Sequence, residues 1–103
     1  MTIRKQFLKT RHTCKVEFTI PSSQAKNFSK ASVVGDFNNW NANATPMKRL
    51  KKDGSFSCSV ELPEGKEYQF RYLIDGSRWV NDNKPDNFRN TIYNDAKNCV
   101  IKL

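Results

Sequence analysis

The sequence holds a single histidine, His12, in a basic segment near the N-terminus. A Ser-His-Asp or Cys-His catalytic arrangement would have to use it, and no nucleophile turn stands nearby. His12 is therefore expected to be solvent-exposed or structural. Glycine is also scarce, at four residues, and none is gathered into a phosphate-cradling loop. No apolar run approaches the roughly 20 residues a membrane helix needs. The opening "MTIRKQFLKTRH" has the charge of a signal peptide without its apolar core. The expected location is cytoplasmic, with no membrane partner. Three cysteines, Cys14, Cys58 and Cys99, cannot pair fully within one chain, and their spacing matches no zinc pattern. Each falls in a strand-like alternation and is expected to be a small reduced core residue. No metal and no cofactor is expected.

Carboxylate pairs that could hydrolyse a glycosidic bond reduce to Asp75, Asp82 and Asp86. Asp75 opens an Asp-Gly turn, and the other two sit in a polar loop as caps or Asx-turn residues. The chain is thus not expected to be an enzyme. Internal repeats, low-complexity tracts and linkers are all missing. The 103 residues are expected to form one domain, 1–103, with 1–12 a flexible basic segment. The net charge is +8, with cations clustered at Arg4, Lys5, Lys9, Arg11 and Lys15, and at Lys48, Arg49, Lys51 and Lys52. Such charge can attract phosphate backbones. No helix-turn-helix, zinc-finger or RNA-binding motif accompanies it, so nucleic acid is not an expected partner.

What is abundant is a period of two. "CKVEFTI" places Cys14, Val16, Phe18 and Ile20 on one face. "SFSCSVEL" does the same with Phe56, Cys58, Val60 and Leu62, and "NCVIKL" with Cys99, Ile101 and Leu103. "EYQFRYLIDG" sets Tyr68, Phe70, Tyr72 and Ile74 against Gln69, Arg71 and Leu73. This is the signature of strands with one buried face. Asp53-Gly54, "LPEGK" and Asp75-Gly76 separate the runs as turns. Pro21 ends the first run, and "SSQAKNFSKA" bridges to the next with room for one helical turn. "NDNKPDNFRN", from Asn81 to Asn90, is too polar for a strand and reads as an ordered loop. Short strands with Gly and Pro turns imply an all-β sandwich or barrel.

Two tryptophans stand outside the alternation: Trp40 in "VVGDFNNWN" and Trp79 in "DGSRWVND". Each marks a strand–loop junction among amides and charges. Either they plug the ends of the sandwich or they are held out for a ligand. An indole face suits the C–H face of a pyranose ring, while amides and guanidinium groups suit its hydroxyls. Asn38, Asn39, Asn41, Asn81, Asn83, Arg71 and Arg78 could supply those groups. Tryptophan and arginine also favour protein interfaces, so a protein-binding surface stays open on composition alone.

The order of "VVGDFNNWN" and "PMKRLKKDGSFSCSVELPEGKEYQFRYLIDGSRWVND" resembles the isoamylase N-terminal, or early-set, domain family. That family includes the glycogen-binding domain of the AMP-activated protein kinase β-subunit. The likeness is close from Val33 to Val80 and looser in the flanking strands. It implies an immunoglobulin-like β-sandwich that binds α-glucan such as glycogen or starch. By position, Trp40 and Trp79 match the stacking tryptophans of the glycogen-binding members. Arg71 falls on a sugar-bonding lysine, replacing a point donor with a planar fork. Asn98 matches an asparagine near the start of the last strand. "NTIYNDAKN" departs from the Leu-Gly-Thr-Val-Asn pattern of those members, and Tyr93 or Asn94 are the residues there that could stand in.

The expected function is a non-catalytic α-glucan-binding module. Its platform would be Trp40 and Trp79, its clamps Arg71 and Asn98, and its rim Asn39 and Arg78. The expected partners are an α-1,4-linked glucan and, beyond it, a separately encoded glycan-active enzyme. The alternative is a protein-interaction or regulatory module of the same fold with no sugar binding.

Overall fold

The computed structural model describes residues 1–91 and 97–103. Among the described residues, nine strands form two antiparallel sheets packed as an immunoglobulin-like sandwich. They are β1 (Thr2–Leu8), β2 (Thr13–Ile20), β3 (Ala31–Gly35), β4 (Lys48–Arg49), β5 (Phe56–Pro63), β6 (Glu67–Ile74), β7 (Arg78–Val80), β8 (Asn87–Asn90) and β9 (Lys97–Lys102). The first sheet runs β1-β2-β5-β4; the second runs β3-β6-β9-β8, with β7 also on β6. One edge of β6 is shared: β9 pairs with Glu67 to Phe70, and β7 with Tyr72 to Ile74. Arg71 lies where that edge passes from one neighbour to the other.

The alternation places the core as its period requires. Val16, Phe18 and Ile20 of β2 face Phe70, Tyr72 and Ile74 of β6 and Ile101 of β9, all fully buried. Aromatic rings fill the centre, with Phe18 5.1 Å from Phe70 and edge-on to Tyr72. Tyr72 donates to the buried carboxylate of Asp82 at 2.8 Å. Burial first, and then the Asp82 charge, push the Tyr72 phenol far up, so it remains a donor. Asp82 also accepts the Lys84 N–H, and Asp75 accepts the Ser29 and Lys30 N–H groups. Asp86 accepts the Lys102 N–H and pairs with Lys5, joining the β1 side of the sandwich to the β8 side. All three aspartates are therefore tied into the frame. Asp75 and Gly76 both have positive φ, as the twist of a tight hairpin between β6 and β7 requires. His12 also has positive φ, in the β1–β2 turn, and its exposed ring lies 3.5 Å from Glu64.

Two segments differ from the sequence reading. The basic segment expected to be flexible forms β1 over most of its length, in full register with β2. Its half-buried Ile3 and Lys5 alternate with exposed Thr2, Arg4 and Gln6, a pattern the charges conceal. The polar loop ends in β8, where Asn87–Asn90 pair with β9. Both are edge strands, and edges tolerate lysine and amides because these discourage pairing with other chains. The expected helical turn after Pro21 is present as α1 (Ser22–Ala25). Arg49, in the second basic cluster, donates to the Ala25 and Phe28 carbonyls and covers the Phe56 ring. Part of that basic charge is therefore structural.

Cys14 and Cys99 are buried and Cys58 is half-buried, and all are free thiols. Burial pushes Cys58 up to about 12 and Cys99 up to about 11, and it raises Cys14 as well. The thiolate is the reactive form, so Cys58 and Cys99 of the native protein should react with a thiol reagent at pH 8 at least about 100-fold more slowly than a free cysteine, and Cys14 should also be slowed. Unfolding should release all three. Rapid labelling of the folded protein would contradict this packing.

Candidate functional site

The loop after β3 is built by a division of labour within "GDFNNW". Asp36–Asn38 form a single 3-10 turn. Phe37 turns inward, stacked 6.1 Å from Phe18, and closes that end of the core. Asn38 is wholly engaged: its Oδ1 accepts the Gly35 N–H, and its Nδ2 donates to the Val33 carbonyl and the Thr45 hydroxyl, each at 3.0 Å. Asn41 accepts the Asn43 N–H. Both asparagines shape the loop, and Asn38 has no side-chain group left for a ligand. Asn39 and Trp40 follow with φ of 57° and 56°. Left-handed backbone is tolerable for asparagine but strained for a bulky residue, and such strain collects at functional positions.

Trp40 is thereby turned outward, and Asp36 holds its indole there. One carboxylate oxygen accepts the Trp40 Nε1–H at 2.9 Å, while the other accepts the Gln69 backbone N–H at 2.8 Å. A charged acceptor makes both bonds stronger than neutral ones. Asp36 was not singled out from the sequence, although its spacing four residues before Trp40 was visible. Asp36→Ala should orphan the Gln69 N–H and release the indole. It should cost about 1–3 kcal/mol of stability, read as a lowered melting temperature, and should leave Trp40 fluorescence more solvent-quenched. An unchanged spectrum would show that Asp36 does not fix the ring.

Trp40 and Trp79 line one groove of about 460 Å³ on the outer face of the second sheet. The register explains the meeting. Gln69, Arg71 and Leu73 alternate outward along β6, and Trp79 stands directly opposite Leu73. The groove also takes Asn98 from β9, and Asn90 and Thr91 from the end of β8. Val34, Leu73 and Val100, the cross-strand neighbours of Arg71, Trp79 and Gln69, are buried outside the main core cluster. The two indoles are 37% and 47% exposed, enough to offer a ring face to a ligand.

The polar groups in the groove are few and oriented. Asn98 Nδ2 donates to Gln69 Oε1 at 3.0 Å, leaving the Gln69 amide donors and the Asn98 carbonyl for another partner. Arg71 is half-buried, and among the described residues its buried Nε–H has no hydrogen-bond partner. A buried unpaired donor is costly. Lining the groove are apolar rings, neutral amides and one guanidinium. Such a set can cover an apolar ring face and bond hydroxyls at its rim.

Of the six residues expected at the site, Trp40, Trp79, Arg71 and Asn98 come together here, and Asn39 and Arg78 do not. Asn39 is exposed and makes the turn that presents Trp40. Arg78 pairs opposite Ile74, one residue out of phase with Trp79, and its guanidinium lies 5.2 Å from the Phe28 ring. Gln69, Asn90 and Thr91 are additional lining residues. Gln69 shares the parity of Arg71 and was legible on that ground; the other two depend on β8, which its polarity hid. Tyr93 and Asn94 lie outside the described residues.

Comparison with known proteins agrees with this architecture. Residues 23–100 match the family described as the glycogen recognition site of AMP-activated protein kinase. The chain is 38% identical over 60 residues to a 1,4-alpha-glucan branching enzyme, GlgB, of Bacillus cytotoxicus. It is 34% identical over 50 residues to the GlgB of Halothermothrix orenii. These matches cover 58% and 48% of this chain but 9% and 8% of the two enzymes. With the family match spanning the loop of Trp40, the strand of Arg71 and the hairpin of Trp79, the chain belongs to the family of the glycogen recognition site of AMP-activated protein kinase.

Proposed function

We propose that the chain is a non-catalytic module that binds α-1,4-linked glucan of the glycogen and starch type in the groove between Trp40 and Trp79. The observation that carries this reading is the convergence on one face of two exposed indoles, one from the loop after β3 and one from β7, with oriented amides and Arg71 between them. A pyranose unit would lay its C–H face on an indole and present its hydroxyls to Gln69, Asn98 and Arg71. Membership of a glycogen recognition family supports the choice of ligand. The names of the two relatives support α-glucan as well, and a glucan-active enzyme is the natural partner of such a module.

Neutral hydroxyls exchange hydrogen bonds with water for hydrogen bonds with protein, so each bond contributes only about 1 kcal/mol. Affinity should be modest and nearly independent of salt. Retention on amylose resin should persist between low and moderate sodium chloride concentrations. Binding driven by the basic clusters would instead fall steeply over that range. Failure of the folded protein to bind amylose, with capture of a defined polypeptide on the same face, would replace this reading with that of a protein-interaction module.

A further inference from the structure

A second hollow lies beside the groove on the β3 side. It is similar in size, about 430 Å³, and its lining includes Lys30, Ser32, Ala42, Asn43, Pro46 and Leu73. The register makes the two neighbours. Ser32 of β3 pairs with Leu73 of β6, and Leu73 pairs on its other side with Trp79 of β7. Ser32, Leu73 and Trp79 thus form one row across the sheet, spanning roughly 10 Å at the usual strand spacing. Leu73 belongs to the hollow and Trp79 to the groove, so the two depressions lie on either side of this cross-strand pair.

The loop that carries Trp40 also walls the hollow. After Trp40 the chain passes Ala42 and Asn43 and returns along the free edge of β3. There Thr45 accepts the Val33 N–H, and Met47 donates to the Ala31 carbonyl. The chemistry resembles that of the groove in one respect. An apolar floor, Leu73 with Ala42 and Pro46, is ringed by the Ser32 hydroxyl, the Asn43 side-chain amide and the Lys30 ammonium. Among the described residues, no hydrogen bond engages these three side-chain groups. It differs in having no aromatic ring, so it would hold a sugar by hydrogen bonds along one apolar side, more weakly than the indoles.

We propose that this hollow takes the units of the same α-glucan chain that run past Trp79, making the site longer than the tryptophan pair. The proposal rests on the glucan reading of the groove. Its occupant follows from continuity: a polymer lying across Trp79 toward β3 meets Ser32 and Asn43 next. The site should therefore distinguish long from short glucans by contacts as well as by statistics.

The test is calorimetric titration with maltotetraose and with maltodecaose, for the wild type and for Ser32→Leu, which replaces the rim hydroxyl with an apolar group that fills the hollow. One or two net hydrogen bonds should make the long glucan bind about five- to thirtyfold tighter than its greater number of registers explains. Ser32→Leu should remove that excess and leave maltotetraose affinity unchanged. In the wild type, maltodecaose and not maltotetraose should shift the amide resonances of Ser32 and Asn43; this readout needs no variant and stands if Ser32→Leu misfolds. If maltotetraose binds but maltodecaose shifts neither amide, or Ser32→Leu keeps the full excess, the extended site is wrong and the groove reading survives. If neither glucan binds folded protein, the groove reading itself fails and the extension falls with it.

Discussion

Trp79→Ala is expected to weaken α-glucan binding roughly 60-fold while leaving the protein folded. Trp79 sits on β7, a strand of three residues, and is 47% exposed. An aromatic side chain can bury up to about 250 Å², so on the order of 100 Å² of indole is available to a ligand. Covering that area contributes about 2.5 kcal/mol, which is the source of the fold-change. The stability effect should be small because the lost surface already faces water. Trp40→Ala should weaken binding by a comparable factor, since 37% of that residue is exposed and the ring is already oriented by Asp36. Titration of each variant, checked by a thermal melt, reads both quantities. Loss of folding in either would make that indole a core plug, and unchanged binding would remove it from the platform.

Gly35→Ala is expected to have the largest effect on stability. Gly35 ends β3 opposite Phe70, in extended backbone that any residue can adopt. The constraint is distance. A Cβ at this position would stand 2.4 Å from the Gln69 carbonyl oxygen and 2.8 Å from the Phe70 Cβ. Neither can yield cheaply, because one is backbone in the central strand and the other is the root of a fully buried ring. Overpacking of this kind costs about 3 kcal/mol. For a chain of this size that lowers the melting temperature by roughly 15 °C. The same residue anchors the loop that carries Trp40, since its carbonyl accepts the Trp40 N–H at 2.9 Å and its N–H donates to Asn38. Gly35→Ala should therefore also weaken glucan binding at temperatures where the protein remains folded. A melting temperature within a few degrees of wild type would contradict the close approach.

Much of the fold was legible because one physical rule, burial of one strand face, writes itself as alternation. Strands β2, β5, β6 and β9 follow that period, and the outward parity of Arg71 followed with it. The edge strands β1 and β8 were harder to read, since a strand at an edge is selected for charge and amides as much as for burial. The site was legible only in part for a different reason. Inside "GDFNNW" the chain leaves the strand period, so parity no longer says which aromatic turns inward. Phe37 goes to the core and Trp40 goes out, decided by the Asn38 bonds and the two left-handed residues. Arg78 and Trp79 are adjacent in sequence and fall on opposite sides of β7. Only the pairing of Leu73 with Trp79 settles which one reaches the groove.

The central claim is that Trp40, Trp79 and Arg71 make one glucan site. It is tested most directly by titrating the wild-type protein with maltoheptaose, following heat and tryptophan fluorescence together. Saturable heat with a parallel fluorescence change, both abolished in the Trp40→Ala, Trp79→Ala double variant, is the predicted result. Folded wild-type protein that shows neither heat nor a fluorescence change with maltoheptaose would contradict it.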